Sequence, residues 1–321
     1  MSKNEILKIL EENDGFVSGE EISGKLGVSR AAVWKAIKLL RQEGYVINSR
    51  TNRGYKLESS PQVLDCGLIG GMQTDSSVQV VCVKSVDSTN NALKKMALDG
   101  APEGMVLVAD HQTSGRGRLG RSFVSPKGKG VYMSILLKPE FIGDIAGLTC
   151  MTAVAVINAI EKIAGTTLDI KWTNDILLAG KKLCGILTEL STEGESGGVR
   201  FAIIGIGVNV NQEVSDFPPE LREKACSLYS AHGVMQDRNR IAGEIVLRFF
   251  DMYRSLKENR RKVMSEYRKK CVTIGNIVAY TRDGKQLRAL AETVDFEGAL
   301  VVRKDNGQLD KLRFGEVSIV S

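Results

Sequence analysis

Histidine is scarce in this chain: 321 residues contain only His111 and His232. Two imidazoles are too few for a histidine-rich metal centre, and they weaken a Ser-His-Asp hydrolase reading. The six cysteines, at positions 66, 82, 150, 184, 226 and 271, include no C-x-x-C pair. Zinc-ribbon and thioredoxin-like readings lose support, and reduced thiols remain as the simple expectation. No run of about 18 uncharged apolar residues occurs. The longest candidate, Leu148 to Ile160, is short and interrupted by Thr and Asn158, and it reads as a buried helix. Met1-Ser-Lys-Asn-Glu5 holds no apolar signal core, so a cytoplasmic location and no membrane partner are expected.

What is present is ordinary globular composition, 43% hydrophobic and 26% charged, in 35.0 kDa. That length suits two or three domains and needs no disulfide staples. The net charge of +6 permits an anionic partner without demanding one.

Residues 1–60 read as a separate unit. Glu5 to Glu12 is a short amphipathic helix. Ser18 stands three residues before Glu21, a capping-box start, and Gly27 sits where a tight inter-helix turn needs it. Ser29 then caps a helix from Arg30 to Gln42, whose Val33, Ile37 and Leu40 recur at helical spacing. Two short strands follow, around Tyr45–Ile47 and Tyr55–Leu57, joined by a basic loop. This is a helix-turn-helix with a wing. Between Lys25 and Lys56, eight basic residues face Glu43 alone. Ser29, Arg30, Trp34, Lys35 and Lys38 on the second helix, with Arg50 and Arg53 of the wing, are the candidate DNA contacts. A small interaction domain with a solvated basic face is the plain alternative.

Ser59-Ser-Pro61 reads as a linker. From 61 to 271, strands at 78–83, 105–109, 131–137, 168–171, 183–189 and 201–208 alternate with helices at 88–98, which Ser88 could cap, and 148–163. One charged helix then runs from Arg240 to Lys270. Residues 272–321 are different: short strands separated by Asp283-Gly284, Glu297-Gly298 and Asn306-Gly307 predict a small all-β barrel. The whole reads as α+β, with a mixed central sheet.

The loudest motif is Gly115-Arg-Gly-Arg-Leu-Gly-Arg121. It contains G-x-G-x-x-G after a strand, with Glu140 about 20 residues on, and it nearly matches P-loop spacing. Both nucleotide-loop readings need a helix next, and Pro126, Gly128 and Gly130 forbid one. Three arginines among three glycines suit a mobile, anion-handling loop. Lys171-Trp-Thr-Asn-Asp175, Lys182-Leu-Cys-Gly-Ile-Leu187 and Gly205-Ile-Gly-Val-Asn-Val-Asn211 add cations, amides, a carboxylate and small strand residues.

As an ordered set, these motifs and Ser88-Thr-Asn90 resemble the biotin protein ligases. The resemblance spans the whole chain, because the winged N-terminal unit marks the bifunctional members that also repress biotin genes. Departures are small: Thr173 stands where some members have proline, and Cys226 lies where threonine is common. The resemblance implies a central ligase fold and an SH3-like C-terminal barrel. It also implies ATP-dependent transfer of biotin, through biotinyl-AMP, to a lysine of a biotin carboxyl carrier protein of acetyl-CoA carboxylase or a related carboxylase. No enzyme nucleophile is required.

By that resemblance, Ser88, Thr89, Asn90 and Gln112 hold the biotin head group, flanked by Gly205. Arg116, Gly117 and Arg118 belong to the loop that closes over the intermediate. Arg121 and Lys182 meet phosphate and carboxylate oxygens. Asn174 and Asn209 lie near the nucleotide, and Asp175 near the attacking amine or the metal. Lys182, Arg118, Arg121 and Asp175 are thus the catalytic candidates. Mg²⁺ accompanies ATP on phosphate and water ligands, with no dedicated protein metal site. Bound biotinyl-AMP would favour a homodimer that reads operator DNA. Two other readings share part of this evidence. A sensor-regulator would not need Lys182 together with the loop arginines, and a lipoate or octanoyl transferase fits the Gly/Arg loop poorly.

Overall fold

The computed structural model describes residues 3–42, 45–50, 53–59, 63–138, 145–193, 198–282, 284–313 and 315–320. Glu43, Ser60-Pro61 of the expected linker, Glu140 and Asp283 lie outside the described residues. The contacts divide the chain into two units, Met1–Val63 and Leu64–Ser321.

The first unit contains α1 (Lys3–Glu11), α2 (Gly19–Leu26), α3 (Arg30–Gln42), β1 (Val46–Arg50) and β2 (Gly54–Ser59). The Ser18 hydroxyl accepts the Glu21 N–H at 3.0 Å, and the Ser29 hydroxyl accepts that of Ala32 at 3.2 Å. Both satisfy helix N–H groups that have no partner within the helix. Gly27 ends α2 at φ 64°, a left-handed turn that returns its N–H to Ser23. Ile6, Leu10, Ile22, Val33, Ile37, Leu40 and Ile47 form the core. β1 and β2 pair antiparallel, and Arg41 anchors the wing by donating to the Ile47 carbonyl at 2.6 and 3.0 Å.

The second unit begins with α4 (Cys66–Gly70), β3 (Gln79–Val83), α5 (Thr89–Leu98), β4 (Met105–Ala109), β5 (Val131–Leu137), α6 (Ile145–Ala164) and β6 (Asp169–Lys171). It continues through β7 (Asp175–Leu178), β8 (Lys181–Glu193), β9 (Gly198–Val208), α7 (Leu228–His232), α8 (Arg238–Arg254) and α9 (Leu256–Lys270). The central sheet has order β3-β4-β5-β9-β8-β7-β6; β3 and β4 are parallel and the other neighbours antiparallel.

Strand periodicity gives each face a different job. Val106, Val108, Met133, Ile135, Ile204, Ile206, Cys184 and Ile186 join the main core, which also holds most of α6 and the apolar side of α8. Leu107, Leu136, Phe201 and Ile203 point the other way and pack on Leu93 and Ala97 of α5. Each large apolar side chain so buried contributes about 1.5–3 kcal/mol. The same alternation puts Tyr132, Ser134, Gly185, Leu187, Glu189, Gly205 and Gly207 on the α5 side. The first turn of α5 meets Ser134, Glu189 and Gly205, and beyond its start a cavity takes the helix's place. α6 is long and apolar enough to cross a membrane, but it is a core helix, with 78% of its apolar window buried.

The expected single helix from Arg240 to Lys270 is two helices. Ser255 breaks it: its hydroxyl donates back to the Asp251 carbonyl at 3.0 Å, and its backbone leaves helical geometry at ψ 6°. Ser88 occupies the first cap position of α5 without capping it. The N–H of Thr89, the first helical residue, goes to Gln112 Oε1 at 2.9 Å.

The C-terminal strands are β10 (Ile277–Arg282), β11 (Lys285–Val294), β12 (Leu300–Arg303), β13 (Leu309–Leu312) and β14 (Val317–Ile319). They form an antiparallel sheet, β13-β12-β11-β10-β14. Among the described residues its outer strands, β13 and β14, do not pair, so the sheet is open where a closed barrel was expected. It is not a free-standing layer. Val278, Ala291, Leu300 and Val302 belong to the main core, and the Trp172 indole donates to the Gly298 carbonyl at 2.9 Å.

Candidate functional site

Ser88, Thr89, Asn90, Gln112, Arg116, Gly117, Arg118, Arg121, Asn174, Asp175, Lys182, Gly205 and Asn209 all line one cavity of about 290 Å³. Five sequence-distant segments therefore converge on the α5 side of the sheet.

The floor is made of glycine. Gly207 pairs with Gly185, and Gly205 with both Ser134 and Leu187. A Cβ on Gly205 would lie 2.3 Å from Asn90 Oδ1, and one on Gly207 would lie 2.6 Å from the Phe123 ring. Both distances are below any normal contact, so only glycine lets helix and loop come this close.

At one end lies a small hydrogen-bonded cup. Ser134 donates to Asn90 Oδ1 at 2.6 Å, and its oxygen is 2.8 Å from Thr89 Oγ1. Gln112 Oε1 accepts from the Thr89 N–H at 2.9 Å and from Thr89 Oγ1 at 3.1 Å, while Gln112 Nε2 donates to Ser125 at 2.8 Å. Ser88, Thr89 and Asn90 are buried. Side chains held this way are already oriented for a small polar head group.

The other end is cationic. The Lys182 ammonium lies 2.7 Å from Asp175 Oδ1. The Lys182 backbone is clamped between Lys224 and Cys226: its N–H donates to the Lys224 carbonyl at 2.8 Å, and its carbonyl accepts from the Cys226 N–H at 3.0 Å. Asn174 donates to the Ile186 carbonyl at 2.9 Å and accepts from Arg118 at 2.7 Å. Asn209 donates to the Cys226 carbonyl at 3.0 Å.

The Gly/Arg loop covers the cavity. No helix follows it, and the loop itself contains a single 3-10 turn at Arg118–Gly120. Each of its arginines has a protein partner: Arg116 the Asn91 and Glu189 side chains, Arg118 the Gly315 carbonyl as well as Asn174, and Arg121 Glu316 at 2.7 Å. Residues next to β14 thus reach the loop.

Nearby thiols are poor nucleophiles. Burial pushes the Cys226 thiol up to about 11, and Cys184, fully buried, is pushed higher still. Among the described residues no group of three or more His, Cys, Asp and Glu side chains gathers. Asp175 is the carboxylate beside Lys182.

Sequence reasoning did not single out Ser134, Ser125, Phe123 or Glu316, gave Glu189 no role of its own, and took Gly207 only as one of the small residues of the Gly205–Asn211 motif. A lone serine inside Val131–Leu137 and an acid after an apolar strand were the available signals. Phe123 and Glu316 had none, because their neighbours are distant in sequence.

In the first unit, Ser29, Arg30, Trp34, Lys35, Lys38, Arg50 and Arg53 are all exposed. Trp34 is 56% exposed, with the Lys38 ammonium 5.5 Å from its ring centroid. Arg30 pairs with Glu20, and Arg50 lies over Phe16.

Comparison with known proteins agrees with this layout. Residues 82–209 match the biotin/lipoate A/B protein ligase family, residues 2–56 an HTH domain, and residues 273–320 the biotin protein ligase C terminal domain. The chain is 41% identical to the bifunctional ligase/repressor BirA of Bacillus subtilis over 91% of this chain and 90% of that one. It is 30% identical to BirA of Escherichia coli over 96% and 94%. A solved biotin protein ligase from Aquifex aeolicus, in complex with biotin and ATP, superposes with TM-score 0.66 at 28% identity, covering 75% of this chain and 98% of that one. The chain belongs to the biotin protein ligases, in the group of bifunctional ligase/repressors that carry an N-terminal HTH domain.

Proposed function

We propose that this protein joins biotin to a lysine of a biotin carboxyl carrier protein at the expense of ATP, and represses biotin genes when biotinyl-AMP is bound. The observation that carries the reading is the two-ended cavity. A neutral cup at Ser88–Asn90 and Gln112 suits a cyclic urea, and a cationic end at Lys182, Arg118 and Arg121 suits carboxylate and phosphate.

In the first step a biotin carboxylate oxygen attacks the α-phosphorus of ATP; the bond to pyrophosphate breaks and biotinyl-AMP forms. Two anions must approach each other, so the chief demand is charge neutralisation. Lys182 and Arg118 supply it at the carboxylate and α-phosphate, and Arg121 at the departing phosphates. Asn174 and Asn209, fixed by backbone carbonyls, position the nucleotide. Arg116, Gly117 and Arg118 close the loop and exclude water from the anhydride. In the second step the carrier lysine amine attacks the anhydride carbonyl, AMP leaves, and the amine loses a proton. Asp175 faces the incoming amine. Magnesium would enter on ATP, completing its shell with phosphate and water, with Asp175 as the carboxylate within reach.

The organisation that suits this function is a winged DNA-binding domain (1–60), a catalytic domain (61–271) and an SH3-like C-terminal domain (272–321) in a cytoplasmic protein. Ser29, Arg30, Trp34, Lys35 and Lys38 enter a groove, and Arg50 and Arg53 meet phosphates. A homodimer formed on binding biotinyl-AMP would place two such domains on a palindromic operator.

The test mixes the protein with biotin, MgATP and a biotin carboxyl carrier domain. Pyrophosphate release and a gain of one biotinyl group on one carrier lysine are expected. A folded protein giving neither would overturn the ligase reading. Operator binding equally tight with and without biotin and ATP would overturn the coupling to repression.

A further inference from the structure

Glu189 sits towards the far end of β8, on the cavity face, and its carboxylate is used twice. Oε2 accepts from Asn90 Nδ2 at 2.7 Å, and Oε1 lies 3.2 Å from Arg116 Nη1. One acid therefore touches both the cup and the covering loop. The same Arg116 nitrogen also donates to Asn91 Oδ1 at 2.8 Å, so α5, β8 and the loop meet around this side chain.

The consequence for Asn90 follows from hydrogen-bond chemistry. An amide has a donating and an accepting end of nearly equal shape, and its surroundings decide which way it faces. Ser134 does not decide, because a hydroxyl can donate or accept. A carboxylate facing an arginine only accepts, and so does a backbone carbonyl, so Asn90 turns its NH₂ to this side, with the shorter bond to Glu189. Its second N–H then faces the Leu187 carbonyl at 3.3 Å. This leaves Oδ1 for Ser134 and the bare Cα of Gly205.

We infer that Glu189 is a positioning residue that fixes the amide orientation of Asn90 in the head-group cup and seats Arg116 of the covering loop. Head-group recognition and loop closure are thereby coupled through one carboxylate. The inference rests on the biotin-ligase reading above. Glu189 touches no reacting atom; it acts through Asn90 and Arg116.

The test compares wild type, Glu189→Gln and Glu189→Asp as full-length proteins. Glu189→Gln keeps the shape but can present either end to Asn90 and loses the charge facing Arg116. Hydrogen bonds to charged groups set the scale. The Gln variant should raise the KM for biotin about ten- to thirty-fold and speed release of biotinyl-AMP about ten-fold. Its KM for ATP should stay within two-fold of wild type, and its melting temperature should not change. Glu189→Asp, which remains an acceptor only, should recover a large part of the biotin KM. A Gln variant with wild-type biotin KM and release rate overturns the inference. So does one that loses biotin and ATP parameters equally together with thermal stability, because that is the signature of a merely structural residue. If Asp is no better than Gln, the amide-orientation argument fails. A folded wild type that forms no biotinyl-AMP sinks the ligase reading itself, a result distinct from all of these.

Discussion

Asp175 and Lys182 form an ion pair 2.7 Å long across the β7–β8 ladder, with both side chains lining the cavity. Asp175 pairs with Gly185 rather than with Lys182, so the ammonium reaches along the strand to meet the carboxylate. The absent Cβ at Gly185 leaves it room, since a Cβ there would lie 3.3 Å from Lys182 Nζ.

Replacing Lys182 by Met keeps the apolar stem and removes the charge. Pyrophosphate release should fall by about 10²–10³-fold, the usual cost of losing one donor aimed at developing negative charge. Biotin affinity should fall less. Single-turnover quench measurements separate the two effects.

Gly205→Ala should disable the head-group cup. Its new methyl collides with Asn90 Oδ1, and a displacement of about 1 Å in a positioning group costs on the order of 10²-fold in activity. Biotin binding followed by calorimetry should weaken, whereas ATP binding should hold.

Lys35→Ala and Arg53→Ala alter the exposed basic face of the first unit. Each should weaken operator binding and lower the slope of log K against log salt by about one per lost phosphate contact. Carrier biotinylation should be unchanged. A salt titration of each variant checks this.

Glu244 is buried on α8 and meets Lys162 and Arg248, each at 2.8 Å. Burial opposes its ionisation, but the two cations outweigh burial and hold its carboxyl below the ordinary value of 4.5. A lowered folded value adds stability above pH 4.5 that is lost as pH falls through that lower value. Glu244→Gln should cost about 1–2 kcal/mol at pH 7 and flatten the acid limb of the stability curve, read by urea melts.

Local rules were legible wherever one segment decides the outcome. The Ser18 and Ser29 caps, the left-handed Gly27, the strands at 105–109 and 131–137 and the absence of a helix after Gly115–Arg121 all follow from neighbouring residues. Long-range decisions were not legible. Ser88 stands at the cap position of α5 but its hydroxyl makes no cap bond, and the Thr89 N–H is met by Gln112 from the loop after β4, a partner distant in sequence. β7 and β13 are four residues each, too short for their periodicity to stand out. The helix break at Ser255 turns on one hydroxyl choosing its own backbone. At the site, Lys182, the three loop arginines and Ser88–Asn90 announced themselves as motifs. Ser134 and Glu189 are visible only once strand register places them opposite α5.

The C-terminal sheet has a further implication, which concerns how such a chain can be recombined. Gly298 approaches α6 so closely that a Cβ there would lie 2.5 Å from the Ala146 carbonyl carbon, and the same turn receives the Trp172 indole. Gly315 and Glu316 hold two loop arginines. A graft made near Cys271 would cut through a shared interior and unseat the loop at once. The natural seam for exchanging parts is the single crossing at Val63–Leu64, where a different DNA reader can be joined to an intact catalytic block.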